Sequence, residues 1–233
     1  MIKKAVCLVS GGIDSSVTAF IAKSKGYDIY ALSFNYGQKH RRELDSAKKI
    51  ISSIDAKKHV IFDIDLGLFG GSSIVDNSLA LEKNHNLEEI GKTIPSTYVP
   101  ARNTVFLSIA LAYAEVVNAD AIFIGVTATD YSGYPDCRPE YIEAFRKMAN
   151  LSTKKGVEGN PVEIHVPLIS MSKAEIIKKG LELDVPFANT WSCYRGGDKA
   201  CGTCDSCLLR LKGFKESGSK DPIFYESLPD WYK

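Results

Sequence analysis

The chain alternates between short, mostly apolar runs and longer segments in which apolar residues recur at helical spacing. Strands are predicted at residues 5–9, 28–34, 58–64 and 121–125, and helices at 15–25, 41–54, 104–117, 173–183 and 205–215. Runs such as AVCLV and AIFIG lack polar alternation, which is typical of strands buried on both faces of a parallel sheet. This order of strands and helices predicts an α/β fold with a mainly parallel sheet and helices on both of its faces.

Residues 66–101 interrupt the alternation. They contain paired glycines, the polar stretches SSIVDNS and EKNHN, and two prolines. This composition predicts a long excursion with one short helix. We expect two units in the chain, a Rossmann-like α/β domain over residues 1–185 and a small C-terminal segment over residues 186–233 packed on it.

The charge of the chain is nearly neutral, with 29 Lys and Arg residues against 28 Asp and Glu residues among 233. A nucleic-acid-binding protein normally has a clear basic excess, so no nucleic-acid partner is expected. No run of about 18 apolar residues is present, so no membrane-spanning helix is predicted. The first apolar run is shorter than the roughly 7–15 residues of a signal peptide, and we expect a cytoplasmic protein without membrane contacts.

The sequence SGGIDSS at residues 10–16, here called the phosphate loop, lies between the first predicted strand and the first predicted helix. Adjacent glycines allow several backbone N–H groups to point at one ligand, and the helix N-terminus adds about half a positive charge. The hydroxyls of Ser10, Ser15 and Ser16 offer further donors. Neither a Walker loop nor a dinucleotide fingerprint fits, because the Walker lysine and the third glycine are missing here. The stretch therefore predicts a phosphate or pyrophosphate site.

The phosphate loop resembles the pyrophosphate loop of the ATP pyrophosphatase superfamily, which includes synthetases and tRNA thiolases. In that superfamily the loop holds the β,γ-pyrophosphate of ATP, and attack on the α-phosphate leaves an adenylated substrate. Asp14 is open to two interpretations, a magnesium ligand or a cap of the following helix. The residues predicted to bind ATP are Leu8, Val9, Ser10, Gly11, Gly12, Ile13, Asp14, Ser15, Ser16, Val17 and Thr18.

Six cysteines are present, and four of them, Cys193, Cys201, Cys204 and Cys207, fall within fifteen positions. The two-residue gaps let neighbouring sulfurs converge on one ion, and four sulfurs suit tetrahedral zinc in a closed, structural site. A four-cysteine iron–sulfur cluster is the main alternative, because similar spacing occurs in such clusters. Cys7 lies in the first apolar run and is predicted to be a small core residue.

Five further stretches narrow the resemblance. In chain order they are FNYGQKHRREL at 34–44, YVPARNTVFLSIA at 98–110, DYSGYPDCRPEYI at 130–142, PLISMSKAEI at 167–176 and TWSCY at 190–194. With the phosphate loop and the four cysteines, they resemble the 7-cyano-7-deazaguanine synthase (QueC) family of the queuosine pathway over nearly the whole chain. The resemblance implies an adenine nucleotide alpha hydrolase-like fold. One departure is Ala101, which stands where a glycine is common in that family.

The resemblance implies conversion of 7-carboxy-7-deazaguanine, with ammonia and ATP, to the nitrile. The carboxylate attacks the α-phosphate of ATP, and ammonia displaces AMP to give an amide. A second adenylation, on the amide oxygen, permits elimination to the nitrile. ATP is then a substrate, AMP and pyrophosphate are the expected products, and magnesium is expected with the nucleotide.

The resemblance also implies catalytic roles for three residues. Both adenylations place negative charge on a five-coordinate phosphorus, so cationic groups are needed around it. Lys173, at a predicted helix start, is the first candidate for such a cation, and Arg102 is the second. Asp14 is the third residue to which a catalytic role is assigned. Without the resemblance, Lys173 would be interpreted as a solvated helix residue and Arg102 as part of a surface ion pair.

The stretch DYSGYPDCRPE, here called the substrate loop, is expected to recognise the deazapurine. Its aromatic rings can stack on a flat base, and its charged groups can pair with the polar edges. The predicted substrate-binding residues are Asp130, Tyr131, Tyr134, Asp136 and Arg138. Cys137 is interpreted as structural or substrate-adjacent, because adenylation requires no thiol.

Two other functions remain as alternatives. A tRNA-thiolating enzyme can use the same phosphate loop, but it would need a catalytic cysteine pair and usually a basic RNA-binding surface. The second alternative is a non-enzymatic module that is stabilised by zinc and binds a nucleotide or nucleic acid. Its support consists of the basic and aromatic residues near the cysteines, which are Tyr194, Arg195, Lys199, Arg210 and Lys212. A homodimer is expected only from the resemblance.

Overall fold

In this computed structural model, which describes residues 2–39, 41–76, 78–79, 94–127 and 134–232, a parallel sheet forms the centre of the protein. The strands of the described residues are β1 (Lys4–Leu8), β2 (Asp28–Asn35), β3 (Lys58–Asp63), β4 (Ala121–Phe123) and β5 (Glu163–His165). Their order is β3-β2-β1-β4-β5, and every neighbouring pair is parallel. The strand order reverses at β1, and ligands bind at such a reversal, beyond the carboxyl ends of the strands.

Seven α-helices are found in the described residues; in chain order the first five connect the strands, and the last two follow β5. They are α1 (Ile13–Ser24), α2 (Arg42–Ser53), α3 (Arg102–Val116), α4 (Pro139–Ser152), α5 (Lys154–Val157), α6 (Lys173–Glu182) and α7 (Asp205–Ser217). Short 3₁₀ helices occupy Leu66–Phe69, Pro135–Cys137, Phe187–Asn189 and Asp230–Tyr232. The predicted α/β fold is confirmed, whereas α4 and β5 had not been predicted. Among the described residues, no helix is both long and apolar enough to cross a lipid bilayer.

The sheet is covered on both faces, as predicted from its apolar strands. Along β1, Val6 and Leu8 face a core cluster that includes residues of α3 and α4. Ala5 and Cys7 face the opposite cluster, which includes residues of α1 and α2. Successive side chains of a strand alternate between faces, so a fully apolar β1 supplies both cores. The prediction that Cys7 is a core residue is confirmed, and burial raises the pKa of its thiol.

The C-terminal segment shares a core with the α/β domain. One apolar cluster combines Val17 of α1, Ile176 and Ile177 of α6, and Phe214 of α7. A Cβ atom added at Gly213 would lie 2.4 Å from Cγ of Lys173, so α6 and α7 are in close contact there. The division at residues 185/186 stays a prediction, and this cluster spans it.

A buried ion pair fixes the end of the chain to α7. The side chain of Arg210 is 1% exposed, and its Nε and Nη2 donate to the two carboxylate oxygens of Asp221 at 2.7 and 2.9 Å. Its Nη1 donates to Oγ1 of Thr190 at 2.8 Å. A buried charge needs such a full set of partners, and here they join α7 to the segments before and after it.

The excursion over residues 66–101 begins with the 3₁₀ helix Leu66–Phe69, which agrees with the prediction of one short helix. Farther along, Ser73 and Ser96 are paired by a backbone hydrogen bond of 2.8 Å, and Thr97 is buried beside them. Residue 77 and residues 80–93 lie outside the described part of the chain.

Candidate functional site

A cavity of about 560 Å³ lies at the carboxyl ends of β1, β2 and β4, where the strand order reverses. Its apolar lining includes Leu8 at the end of β1, Leu32 and Phe34 of β2, and Ile124 just after β4. Ligand pockets commonly measure about 300–1,000 Å³, so the cavity can admit a nucleotide.

The phosphate loop forms part of the cavity wall and is held by close backbone contacts. Gly11 has φ +89°, and a Cβ atom there would lie 2.3 Å from the carbonyl oxygen of Glu43 in α2. A Cβ atom at Gly125 would lie 2.9 Å from the carbonyl oxygen of Asp14 in α1. Both positions therefore require glycine. The absence of a side chain at these two positions lets the start of α1 pack closely against α2 on one side and the end of β4 on the other. The part played by Gly125 had not been predicted.

The serine hydroxyls of the phosphate loop are joined by short hydrogen bonds. The Oγ atoms of Ser10 and Ser15 lie 3.0 Å apart, and the backbone N–H of Gly12 donates to Oγ of Ser10 at 3.3 Å. Of the residues predicted to bind ATP, seven line the cavity, namely Leu8, Val9, Ser10, Gly12, Ile13, Asp14 and Ser15. The other four, Gly11, Ser16, Val17 and Thr18, are buried behind this surface.

Lys173 and Asp14 meet at the cavity. Nζ of Lys173 lies 2.6 Å from both carboxylate oxygens of Asp14, and both side chains line the cavity. Ser172 and Glu175 form a capping box that starts α6 at Lys173, in agreement with its predicted position at a helix start. Asp14 lies inside the first turn of α1, whose N-cap is Gly12, so its carboxylate is directed to Lys173 and does not cap the helix.

Arg102, the first residue of α3, also lines the cavity. Its guanidinium carbon is 5.8 Å from the ring centroid of Tyr36. Burial lowers the pKa of Arg102, but the neighbouring Tyr36 and Tyr134 outweigh burial and raise the pKa above its usual value. Arg102 therefore supplies a permanent positive charge in the cavity.

Glu43, in the first turn of α2, is a cavity residue that the sequence analysis did not single out. Burial raises the pKa of its carboxyl to about 7, against the opposing effect of Arg102 and with a smaller raising effect of Cys193. Burial also raises the pKa of Tyr36 to about 12. The available signal was an acidic residue at the start of the helix after β2, within the quoted stretch FNYGQKHRREL.

The predicted substrate-binding residues are placed differently from one another. Asp130 and Tyr131 lie outside the described residues. Tyr134 lines the cavity, and its hydroxyl oxygen is 3.3 Å from Oγ1 of Thr97. Asp136 is buried, and its carboxylate accepts the backbone N–H of Asn103 at 2.8 Å, while Arg138 is exposed at the start of α4.

Cys137 is buried at the cavity wall and accepts a hydrogen bond from Nδ2 of Asn103 at 3.0 Å. Asn103 thus donates its backbone N–H to Asp136 and its side-chain amide N–H to Cys137. This arrangement fixes the 3₁₀ helix Pro135–Cys137 to the start of α3, in agreement with a structural or substrate-adjacent position for Cys137.

The C-terminal segment supplies another part of the cavity wall through Trp191, Ser192 and Tyr194. The sequence analysis quoted these residues in TWSCY but did not place them at the nucleotide site. Burial raises the pKa of Tyr194 well above its usual value. The cavity is therefore closed by residues from both predicted units of the chain.

Four buried cysteines, Cys193, Cys201, Cys204 and Cys207, bring their Sγ atoms within 4.8 Å of one another. A tetrahedral ion with metal–sulfur bonds of about 2.3 Å separates its sulfurs by about 3.8 Å, and the Sγ atoms of Cys201 and Cys207 are 3.9 Å apart. Backbone N–H groups of Cys201 and Arg195 donate to Sγ of Cys193 at 3.3 and 3.4 Å, which stabilises a thiolate. The four-cysteine site therefore fits a single metal ion.

Comparisons with known proteins agree with this site. The family described as "Queuosine biosynthesis protein QueC" matches residues 4–218. A 7-cyano-7-deazaguanine synthase of Trichodesmium erythraeum is 55% identical over 220 residues, which cover 94% of this chain and 99% of the relative. One of Acetivibrio thermocellus is 56% identical over 223 residues, which cover 96% of this chain and 98% of the relative.

The fold also recurs in more distant proteins. A solved structure described as a predicted subunit of tRNA methyltransferase from Methanocaldococcus jannaschii matches with a TM-score of 0.50 and 16% identity, over 97% of this chain and 93% of that one. This similarity concerns the fold alone. The extent of the family match and the identity to the curated relatives decide the assignment. The chain belongs to the QueC family of queuosine biosynthesis proteins.

Proposed function

We propose that this protein is a 7-cyano-7-deazaguanine synthase, an ATP-dependent ligase that converts 7-carboxy-7-deazaguanine and ammonia to the nitrile. The main support for this proposal is that the phosphate loop and the Lys173–Asp14 pair share one cavity with Arg102, Glu43 and Tyr134. The names of the curated relatives, which match this chain over nearly its whole length, support the same activity.

The first half of the proposed reaction forms an acyl adenylate. A substrate carboxylate oxygen attacks the α-phosphorus of ATP, and the bond to the β,γ-pyrophosphate breaks, with the electron pair leaving on pyrophosphate. Ammonia then attacks the acyl carbon, a proton leaves its nitrogen, and the carbon–oxygen bond to AMP breaks to give the amide.

The second half removes the amide oxygen. That oxygen attacks the α-phosphorus of a second ATP, and pyrophosphate leaves again. Two protons then leave the nitrogen as the carbon–oxygen bond breaks, which yields the nitrile and a second AMP. Each oxygen of the original carboxylate therefore ends in one AMP.

The cationic residues are assigned by charge and position. Lys173 neutralises the charge that develops on the α-phosphate and the departing pyrophosphate, because its ammonium lies beside the phosphate loop. Arg102 binds the negative charge of the substrate carboxylate or of the phosphate next to it. Asp14 holds the Lys173 ammonium in place before ATP binds, and its carboxylate is suited to hold magnesium afterwards.

Recognition of the deazapurine is assigned to the substrate loop, with Asp130, Tyr131, Tyr134, Asp136 and Arg138 as the proposed residues. Of these, Tyr134 has the support of its position on the cavity wall beside Thr97. The buried hydrogen bond of Asp136 supports a positioning role, in which it holds the loop to α3. Glu43 is added as a proton acceptor, since ammonia addition and nitrile formation both release protons inside this cavity.

Zinc is the proposed occupant of the four-cysteine site, because four converging thiolates leave no open coordination position and suit a structural ion. Metal analysis of purified protein tests this assignment, and we expect one zinc and no iron per chain. The C-terminal segment, residues 186–233, is proposed as the zinc-binding unit.

Three further predictions concern partners and location. Light scattering tests whether the protein is a homodimer, and cell fractionation tests whether it is cytoplasmic. RNA-binding assays test the predicted absence of a nucleic-acid partner.

The proposed function is tested by incubating the protein with ATP, magnesium, ammonium and 7-carboxy-7-deazaguanine labelled with ¹⁸O in both carboxylate oxygens. We expect the nitrile together with two AMP molecules per nitrile, each carrying one ¹⁸O atom in its phosphate. Omission of ammonium should stop the reaction before the amide. Absence of the nitrile, or formation of ADP and unlabelled AMP, would contradict the proposal.

A further inference from the structure

One residue, Trp191, contacts both the phosphate loop and the four-cysteine site. Its side chain is buried, with 3% of the residue exposed. Its backbone N–H donates to the carbonyl oxygen of Gly11 at 2.9 Å, and its indole Nε1 donates to the carbonyl oxygen of Cys193 at 2.9 Å. Two hydrogen bonds therefore join a metal-ligating residue to the loop that receives the nucleotide phosphates.

The hydrogen bond to Gly11 controls the direction of the next peptide group. In a planar trans peptide the C=O of one residue and the N–H of the next point in opposite directions. With the carbonyl of Gly11 fixed on Trp191, the N–H of Gly12 is turned to the other side, where it donates to Oγ of Ser10 at 3.3 Å. Gly12 and Ser10 line the cavity, so this N–H and the hydroxyl that accepts it lie at the surface where the proposed function places the phosphates.

A second residue, Arg42, strengthens the same connection from α2. Its guanidinium carbon lies 4.6 Å from the ring centroid of Trp191, and this contact supports the indole from α2. The 3.8 Å approach of its Nη1 to a carboxylate oxygen of Asp198 is a solvent-exposed ion pair that contributes little. Asp198 belongs to the segment between Cys193 and Cys201. The same turn of α2 also packs closely against Gly11 through the backbone of Glu43 and Ala47. Arg42 is absent from the described lining of the cavity, so its contacts act on the loop through its neighbours.

We propose that Trp191 and Arg42 are positioning residues through which occupation of the four-cysteine site sets the affinity of the phosphate loop for ATP. A bound ion fixes the distance between Cys193 and Cys201, and hence the carbonyl of Cys193 that receives the Trp191 indole. Without the ion, the four thiols have no common metal centre to hold them together. Trp191 then loses its fixed position, and the Gly11–Gly12 peptide loses its orientation.

This inference rests on the proposed function, because it assumes that ATP binds at the phosphate loop. It adds a reciprocal relationship between the two sites. If the metal raises ATP affinity by some factor, ATP must raise metal affinity by the same factor. We expect a factor of about 10, since couplings between distinct sites commonly fall between about 5-fold and 150-fold.

The first experiment compares zinc-loaded with chelator-treated protein. The chain has two tryptophans, so a Trp231→Phe background makes Trp191 the sole indole. We expect removal of zinc to shift Trp191 emission to longer wavelength and to weaken ATP binding about 10-fold in calorimetry, while circular dichroism reports the retained fold. Added ATP should strengthen Zn²⁺ binding by the same factor.

A second experiment uses the zinc-loaded protein and needs no metal removal. Arg42→Ala should raise the Kd and KM for ATP several-fold, with the zinc content and the kcat at saturating ATP retained. Asp198→Ala is the matched control, because it removes only the exposed ion pair of Arg42, which contributes little. We expect its ATP affinity to remain that of the parent protein.

The outcomes separate the two proposals. If the zinc-loaded parent protein fails to bind ATP, the proposed function is wrong, and this inference fails with it. If folded, zinc-free protein binds ATP with the same Kd as the loaded form, the inference alone is wrong. Should zinc removal unfold the chain, Arg42→Ala decides, and an unchanged Kd for ATP in that variant overturns the inference.

Discussion

Nζ of Lys173 lies 2.6 Å from each carboxylate oxygen of Asp14, although the two residues are 159 positions apart in the sequence. The ammonium therefore stands beside the phosphate loop before any nucleotide binds. Lys173→Met keeps the aliphatic stem that contacts α7 near Gly213 and removes the charge. We expect kcat for AMP formation to fall by about 10²–10³-fold, the usual loss for one charge-stabilising donor.

Two further variants check this assignment. Asp14→Asn leaves the ammonium without its counterion and should lower kcat/KM for ATP by about 10-fold, a smaller loss because Lys173 itself remains. Lys178→Met is the control, since Lys178 is an exposed lysine of the same helix. Pyrophosphate release measured at saturating ATP gives kcat for each variant. Equal kcat values for Lys173→Met and Lys178→Met would contradict a catalytic role for Lys173.

The sequence predicted those parts of the fold whose signals are local. The apolar runs of β1 and β4 and the helical spacing of apolar residues in α6 can be recognised without knowledge of the segments that pack against them. In contrast, β5 is a three-residue strand, EIH, whose alternation is too short to recognise. Helix α4 begins at Pro139, inside the stretch that the sequence analysis assigned to the substrate loop. Its buried face becomes evident only where Ile142 and Phe145 meet the sheet.

The site shows the same division between local and distant signals. The phosphate loop is contiguous, so its residue types and order were sufficient to predict it. The pairing of Lys173 with Asp14, and the contact of Trp191 with Gly11, depend on how distant segments pack. Burial, and with it the raised pKa of Glu43, is likewise a property of the folded chain.

Asp136 tests whether a predicted substrate-binding residue has a structural role. Its buried carboxylate accepts the backbone N–H of Asn103, in the first turn of α3, where the N-cap residue Ala101 offers no side-chain acceptor. Asp136→Ala should therefore lower the free energy of unfolding by about 1–3 kcal/mol. Denaturant unfolding of zinc-loaded protein measures this loss.

Arg138→Ala is the comparison for Asp136→Ala, because Arg138 is exposed and belongs to the same predicted set. Its stability should change by no more than about 0.5 kcal/mol. If Arg138 contacts the substrate, KM for 7-carboxy-7-deazaguanine should rise in this variant alone. A parent-like stability of Asp136→Ala together with a raised KM would show that Asp136 recognises substrate directly.

Ala101 adopts a backbone conformation that favours glycine, with φ 53° and ψ 24°. The left-handed region costs a non-glycine residue about 1–2 kcal/mol, and this exposed methyl group gains little packing in return. After the added entropy of an unfolded glycine is subtracted, Ala101→Gly should raise the free energy of unfolding by about 0.5–1 kcal/mol.

The control for Ala101→Gly is the same substitution at Ala112, which is exposed in the interior of α3. There the backbone is helical, so glycine should lower stability by about 1 kcal/mol. Denaturant unfolding measures both variants. A loss of stability in both would show that the conformation of Ala101 carries no strain.

Glu43 makes the stability of the protein depend on pH. Burial raises the pKa of its carboxyl from the usual 4.5 to about 7, although Arg102 opposes the shift. Between these values the folded state binds more protons than the unfolded state, so the free energy of unfolding falls as pH rises from about 4.5 through 7. Above about pH 8 this contribution is constant, with a total loss of about 3 kcal/mol.

Glu43→Gln removes this titration while retaining the shape of the side chain. The variant should therefore exceed the parent protein in stability by more at pH 8 than at pH 5. At pH 8 the parent carries a negative charge in the cavity wall, and the variant does not. Urea unfolding of zinc-loaded protein at both pH values measures the difference, with Glu140→Gln, at an exposed position in α4, as the control for loss of a charge. A stability difference between Glu43→Gln and parent that is the same at pH 5 and pH 8 would contradict the raised pKa and, with it, the assignment of Glu43 as a proton acceptor near neutral pH.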